Sequence, residues 1–167
     1  MEKVKRPVIE LPLSRVEKIF ELVAAVGLLT SIFLLINYWS VLPDKVPSHF
    51  GVSGRADAWS GKAILIILPL VSLFLYTLLT LVCRKPQYCN YLVRITAENA
   101  ERQYRLARKF LSILKAELIW VFTLINWASI GVAMERCNGL GVFFLPVFLI
   151  IVFGTIGIYI YCSLKTA

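Results

Sequence analysis

LVAAVGLLTSIFLLINYWSVLP, residues 22–43, runs 22 residues without a charge, and AILIILPLVSLFLYTLLTLVC, residues 63–83, runs 21. A helix needs roughly 20 apolar residues to cross the hydrocarbon core of a bilayer, so each run reads as one span. Between them lies a polar island, LPDKVPSHFGVSGRADAWSGK, residues 42–62. Outward from this core, residues 118–134 and 137–164 are two further charge-free runs. The chain has 167 residues, 59% hydrophobic and 17% charged, which is too apolar for an ordinary soluble domain. The expected fold is all-α: an integral membrane four-helix bundle, with a long cytoplasmic helical extension between spans 2 and 3 and no separate soluble domain.

The expected boundaries are a cytoplasmic arm at 1–20, span 1 at 21–41, and an extracytoplasmic loop at 42–62. Span 2 follows at 63–83, then a basic cytoplasmic loop and helix at 84–112. Span 3 at 113–134, a short outer loop at 135–140 and span 4 at 141–164 complete the single membrane domain. The first run exceeds the apolar core of a signal peptide, and no small-x-small pattern follows it, so it reads as a retained helix.

The net charge of +8 is distributed by position. Lys3, Lys5, Arg6, Arg15 and Lys18 precede span 1. Arg84, Lys85, Arg94, Arg102, Arg105, Arg108, Lys109 and Lys115 lie between spans 2 and 3, and Lys165 follows span 4. Only Lys45, Arg55, Lys62 and Arg136 fall on the other side. The positive-inside rule then puts both termini in the cytoplasm of a multi-pass cell-membrane protein. The lipid bilayer is the partner this charge suits, and no nucleic-acid motif accompanies it. Cys83, Cys89, Cys137 and Cys162 make no CxxC pair and no disulfide framework.

Ser14 with Glu17 has capping-box spacing ahead of span 1, while residues 1–13, with Pro7 and Pro12, read as a loose arm. Gly27 and Ser31 form a small-xxx-small pair suited to close helix approach. Pro69 should start or kink span 2. Thr96 is a candidate cap, Glu98–Arg102 and Glu101–Arg105 are i,i+4 pairs, and Ala100, Tyr104, Ala107, Leu111 and Leu114 form one apolar stripe. A helix from about Thr96 to Met134 would be roughly 58 Å long. Its opposite face, Arg102, Arg105 and Lys109, is a candidate for docking lipid or a cytoplasmic regulatory protein. Asn126 is the polar side chain expected to join helices in mid-membrane. Pro146 and the Gly154, Gly157 pair suggest bending and close packing of span 4.

The island holds the only histidine, His49, with Asp44 and Asp57. Pro43 and Pro47 stiffen its start, and Gly51, Gly54 and Gly61 permit turns. Asp57 can cap a turn or pair with Arg55 or Lys62, His49 can bond loop backbone, and Trp59 is an interface anchor. The spacings of Asp44, His49 and Asp57 match no zinc signature, and Ser48 or Ser53 near His49 does not make a triad. No metal, cofactor or catalytic residue is expected.

The pattern Pro43-Asp44-x-x-Pro47-x-His49-Phe50, followed by Gly54, Asp57, Trp59 and Lys62, resembles the loop of a bacterial membrane family. That domain of unknown function is also found at the N-terminus of SdpI-type immunity proteins, which protect cells from a sporulation-delaying toxin. The segment ITAENAERQY, residues 95–104, is similar as well, and the resemblance covers about residues 20–135. It implies a non-enzymatic immunity role, a peptide or toxin ligand outside, and capture of a cytoplasmic repressor. The rival readings are a small transporter or channel and, behind it, a metal-assisted enzyme built on the loop. A transporter would need polar groups along a path, for which only Asn37, Ser72, Thr77, Thr123 and Asn126 are on offer, and intramembrane charge is expected to be missing.

Overall fold

A computed structural model describes residues 6–166; Lys3 and Lys5 of the basic tally lie outside the described residues. The chain is mostly helical, and four of its helices are long and apolar enough to cross a membrane. They are α1 (Arg15–Tyr38), α2 (Ile67–Arg84, led in by a 3₁₀ turn Lys62–Ile66), α3 (Ala100–Ala133) and α4 (Phe144–Lys165). The all-α expectation is corrected by β1 (Lys45–Phe50) and β2 (Ala56–Gly61), an antiparallel hairpin built from the polar island. Its glycine-containing turn brings two short strands into register, which a search for apolar runs does not detect.

The capping box forms as the spacing predicts: Ser14 Oγ accepts from Glu17 N–H, and Glu17 Oε2 accepts from Ser14 N–H at 2.7 Å. Pro69 is the third residue of α2, in the first turn, where proline is tolerated, so it lies at the start of the helix as one of the two expectations had it. Pro146 occupies the same place in α4, within the first turn. Thr96 does not cap α3. Asn99 Oδ1 accepts from Thr96 N–H at 2.9 Å, closing a turn that delays the helix to Ala100. Glu98 therefore lies before the helix and makes no pair with Arg102, whereas Glu101–Arg105 does form, at 2.9 Å. The Thr96 side chain, helped by backbone N–H, holds the Glu98 carboxyl below its ordinary pKa. At 34 residues, α3 is about 51 Å long.

Helix α3 is the spine against which α1, α2, α4 and β1 all pack. Lipid offers apolar surface equal to that of a neighbouring helix, so close approach and interhelical hydrogen bonds must hold such a bundle. At Gly27, a Cβ would stand 3.1 Å from both Ile119 and the Trp120 indole. Thr123 Oγ1 donates to Gly27 O at 3.0 Å, Trp120 Nε1 to Val23 O at 3.0 Å, and Asn126 Nδ2 to Ser31 Oγ at 3.4 Å. The small-xxx-small pair thus makes the contact its spacing suggested, and Asn126 joins α3 to α1.

Three other expectations fail. Nothing lies near Gly154 or Gly157, so that pair packs no helix among the described residues. The arm is not loose over residues 6–13: Arg108 donates to Leu11 O, Tyr104 Oη to Pro7 O, and Arg6 to the Gln87 and Cys89 carbonyls. Ile9 and Leu11 join Ile95, Ala100 and Tyr104 in a small core. The stripe on α3 holds at Ala100, Tyr104 and Ala107 but then turns polar, with Arg108, Ser112 and Lys115 buried in place of Leu111 and Leu114. The reason is that α1 presents acids, not alkyl groups, at that level.

Candidate functional site

The hairpin is attached through β1. Val46 is fully buried with Leu42, Leu65 and Ile130, and Pro47 is buried beside it. Pro47 has no N–H to give a ladder, and the register breaks just after it, between Pro47 and His49, leaving Ser48 as the extra residue. A second irregularity leaves Asp57 outside the pairing opposite His49 and Phe50. These irregularities turn His49 and Asp57 toward each other, and His49 Nδ1 meets Asp57 Oδ1 at 2.6 Å. Asp57 therefore pairs with His49, not with Arg55 or Lys62. Lys62 bonds Trp39 O at 3.4 Å and lies 5.2 Å from the Trp39 ring centroid.

Gly54 holds the tip. Its φ is +73°, and a Cβ there would overlap the Gly141 backbone. Gly54 O accepts from Leu140 N–H at 2.8 Å, and Gly139 lies against the same carbonyl. Residues 139–141 thereby dock on the hairpin, a junction that sequence reasoning missed although two closely spaced glycines marked it. Gly51 and Gly61 do not need positive φ. Of the remaining motif residues, Pro43 and Asp44 are exposed, Phe50 is half-buried and Trp59 is exposed; Asp44 O accepts from Lys62 N–H at 3.0 Å and closes the base.

Beneath the hairpin a cleft of about 960 Å³ opens between α2, α3 and α4. Its walls are apolar, with Leu65, Leu68, Ile125, Phe144 and Phe148 among them, and its roof is the hairpin from Pro47 to Asp57. His49, Asp57 and Arg55 sit at the rim, and Arg55 makes no ion pair among the described residues. An apolar hollow with a few convergent polar groups is the usual form of a ligand site.

At the opposite end of the bundle, charges lie between the helices. Arg108 Nε donates to Glu17 Oε1 at 2.7 Å with both side chains buried. Lys115 Nζ, fully buried, bonds Glu21 and, at 2.8 Å, Thr80 Oγ1, and lies 4.7 Å from the Tyr76 ring centroid. The expectation that charge is missing between the spans is thus corrected. The charge-free runs start at Leu22 and Leu118 and so leave these residues out, although Glu21 and Lys115 lie inside the expected spans 21–41 and 113–134. Asn37 and Thr77, offered as path-lining groups, instead bond their own helix at exposed positions. Arg102 is exposed, Arg105 is held by Glu101, and Lys109 is half-buried, so the three do not form one free basic face. Beside them Tyr91 is pushed well above its ordinary pKa by burial, helped by Cys89, with Arg6 pulling the other way. All four cysteines are free thiols, and among the described residues no three His, Cys, Asp or Glu side chains cluster as metal ligands.

Residues 25–73 match a domain of unknown function (DUF1648). The match begins within α1, takes in the whole hairpin and ends within α2, so it covers the roof of the cleft and one of its walls. No curated protein and no solved structure matches the chain.

Proposed function

We propose that this chain is a multi-pass cell-membrane protein that recognises an amphipathic peptide at its extracytoplasmic face, in a non-enzymatic, immunity-like role. The observation that carries the reading is the cleft: an apolar hollow between helices, roofed by the matched motif. The peptide's apolar face would enter between α2 and α4, and its polar groups would meet His49, Asp57 and Arg55. β2 is paired on one side only and exposed along most of its length, so an extended segment can add to its free edge. The basic asymmetry supports a cytoplasmic position for the termini and the 84–99 segment. There the end formed by residues 6–13, 86–108 and Thr166 offers a surface for a regulatory protein. The SdpI-type resemblance of the motif supports the immunity role.

One experiment in intact cells tests both orientation and role. An impermeant maleimide should label Ser53→Cys and not Arg102→Cys, both exposed positions. The wild-type chain should raise tolerance to at least one member of an amphipathic helical peptide panel, and Ile125→Trp, which fills the cleft, should abolish the gain at equal protein level. Labelling at position 102, or unchanged tolerance with the cleft filled, would refute the reading.

A further inference from the structure

On the other side of α4 from the hairpin cleft, a second groove of about 520 Å³ lies between α1, α3 and α4. Its lining is aromatic, with Phe20, Trp120, Phe143, Phe144 and Phe148, and it contains one acid, Glu117. Thr155 Oγ1 donates to Glu117 Oε1 at 2.5 Å, while the second carboxyl oxygen, Oε2, is buried with no partner. Glu117 makes no ion pair among the described residues. Lys115, two positions away and so about 200° round the helix, is engaged by Glu21 on the side facing α1 and α2.

The level of Glu117 follows from α4. Gln103 bonds Ser163, Phe110 stacks on Tyr159, and Glu117 meets Thr155, the middle of α4's apolar length. A carboxyl in an apolar groove, with one buried oxygen unused, is costly unless a cation answers it. Aromatic faces attract cations as well, most strongly where water is excluded. The proportions also suit a small molecule, since ligand sites typically measure about 300–1,000 Å³.

We infer that this groove is a binding site for a lipophilic organic cation, an ammonium or phosphonium centre shielded by aryl or alkyl groups. The positive centre sits against Glu117 Oε2, and its apolar substituents fill the ring-lined hollow. Thr155 holds Oε1, which leaves Oε2 without a protein partner. The groove shares Phe144 and Phe148 with the hairpin cleft, but Glu117, Phe20 and Trp120 line the groove alone, and the assignment does not depend on peptide recognition.

The test is equilibrium dialysis of tetraphenylphosphonium against the purified full-length chain in uncharged detergent micelles, with protein-free micelles subtracted. Saturable binding of one cation per chain is expected. Glu117→Gln keeps the side-chain size and an acceptor for Thr155, and should weaken binding at least tenfold. Phe20→Ala should weaken it with Glu117 intact. Tetraphenylborate, equal in shape and opposite in charge, should show no saturable binding to the wild-type chain. Absence of saturable cation binding, equal binding by Glu117→Gln, or matching saturable binding of the borate would each overturn the assignment. The first two would leave Glu117 as a simple α3–α4 staple, and the third would leave an apolar groove without charge selectivity. The borate arm uses only wild-type protein, so the result stands even where a variant fails to fold.

Discussion

His49 and Asp57 meet at 2.6 Å, yet their side chains are 68% and 53% exposed, so water competes for both. Exposed pairs contribute about 0.2–1 kcal/mol. A buried carboxylate with several donors would contribute more, but Asp57 is not in that situation. Gly54 is different. Its positive φ and its contact with the Gly141 backbone leave no space for a Cβ, whatever the solvent does. In detergent micelles, His49→Ala and Asp57→Ala should each change unfolding free energy by under about 1 kcal/mol. Gly54→Ala should cost at least about 1–2 kcal/mol from backbone strain alone and open residues 51–56 and 138–141 to proteolysis. Equal stability and proteolysis for all three variants would mean the hairpin tip is not docked. The motif residues were legible as a group because turn formers and rare polar types were concentrated between two apolar runs. Their pairing was not, because irregular strand register decides which side chains meet.

Among the elements, helix identity was readable from hydropathy, while helix interfaces were not. Gly27 and Ser31 signalled an approach that does occur, because a small side chain has a direct steric consequence. Arg108 and Lys115 read as part of a basic surface, since nothing in their spacing reveals that Glu17 and Glu21 of α1 lie opposite. Gly154 and Gly157 read as a packing pair, but α4 offers that face to no neighbour among the described residues. The buried Glu17–Arg108 pair gives this scale its prediction. Arg108→Met should destabilise the bundle by about 3–5 kcal/mol, because it leaves a buried carboxylate without its cation. Glu17→Leu combined with Arg108→Met should recover most of that loss. Reversible unfolding in mixed micelles would measure both. A double variant no more stable than the single one would show that the pair contributes more than mutual compensation.

At the scale of the whole molecule, α3 divides the bundle into regions with different chemistry. Ion pairs hold α1 to it, and the Lys115–Thr80 hydrogen bond holds α2, at the end remote from the hairpin. The hairpin and residues 139–141 close the other end over an apolar cleft, and α4 separates that cleft from the aromatic groove. The division follows from the stagger of α4, whose middle meets Glu117 while its start lies under the hairpin roof. The central claim is that the roofed cleft receives a peptide's apolar face. Photo-crosslinking tests it most directly, with benzoylphenylalanine placed at Leu68, which lines the cleft, or at Leu73, an exposed α2 position outside its lining. The chain would be held in nanodiscs and exposed to the amphipathic peptide that best revealed protection in cells. The account predicts strong capture of the peptide from position 68, lost when Ile125→Trp fills the cleft, and only background capture from position 73. Equal capture from the two positions, insensitive to Ile125→Trp, would contradict it.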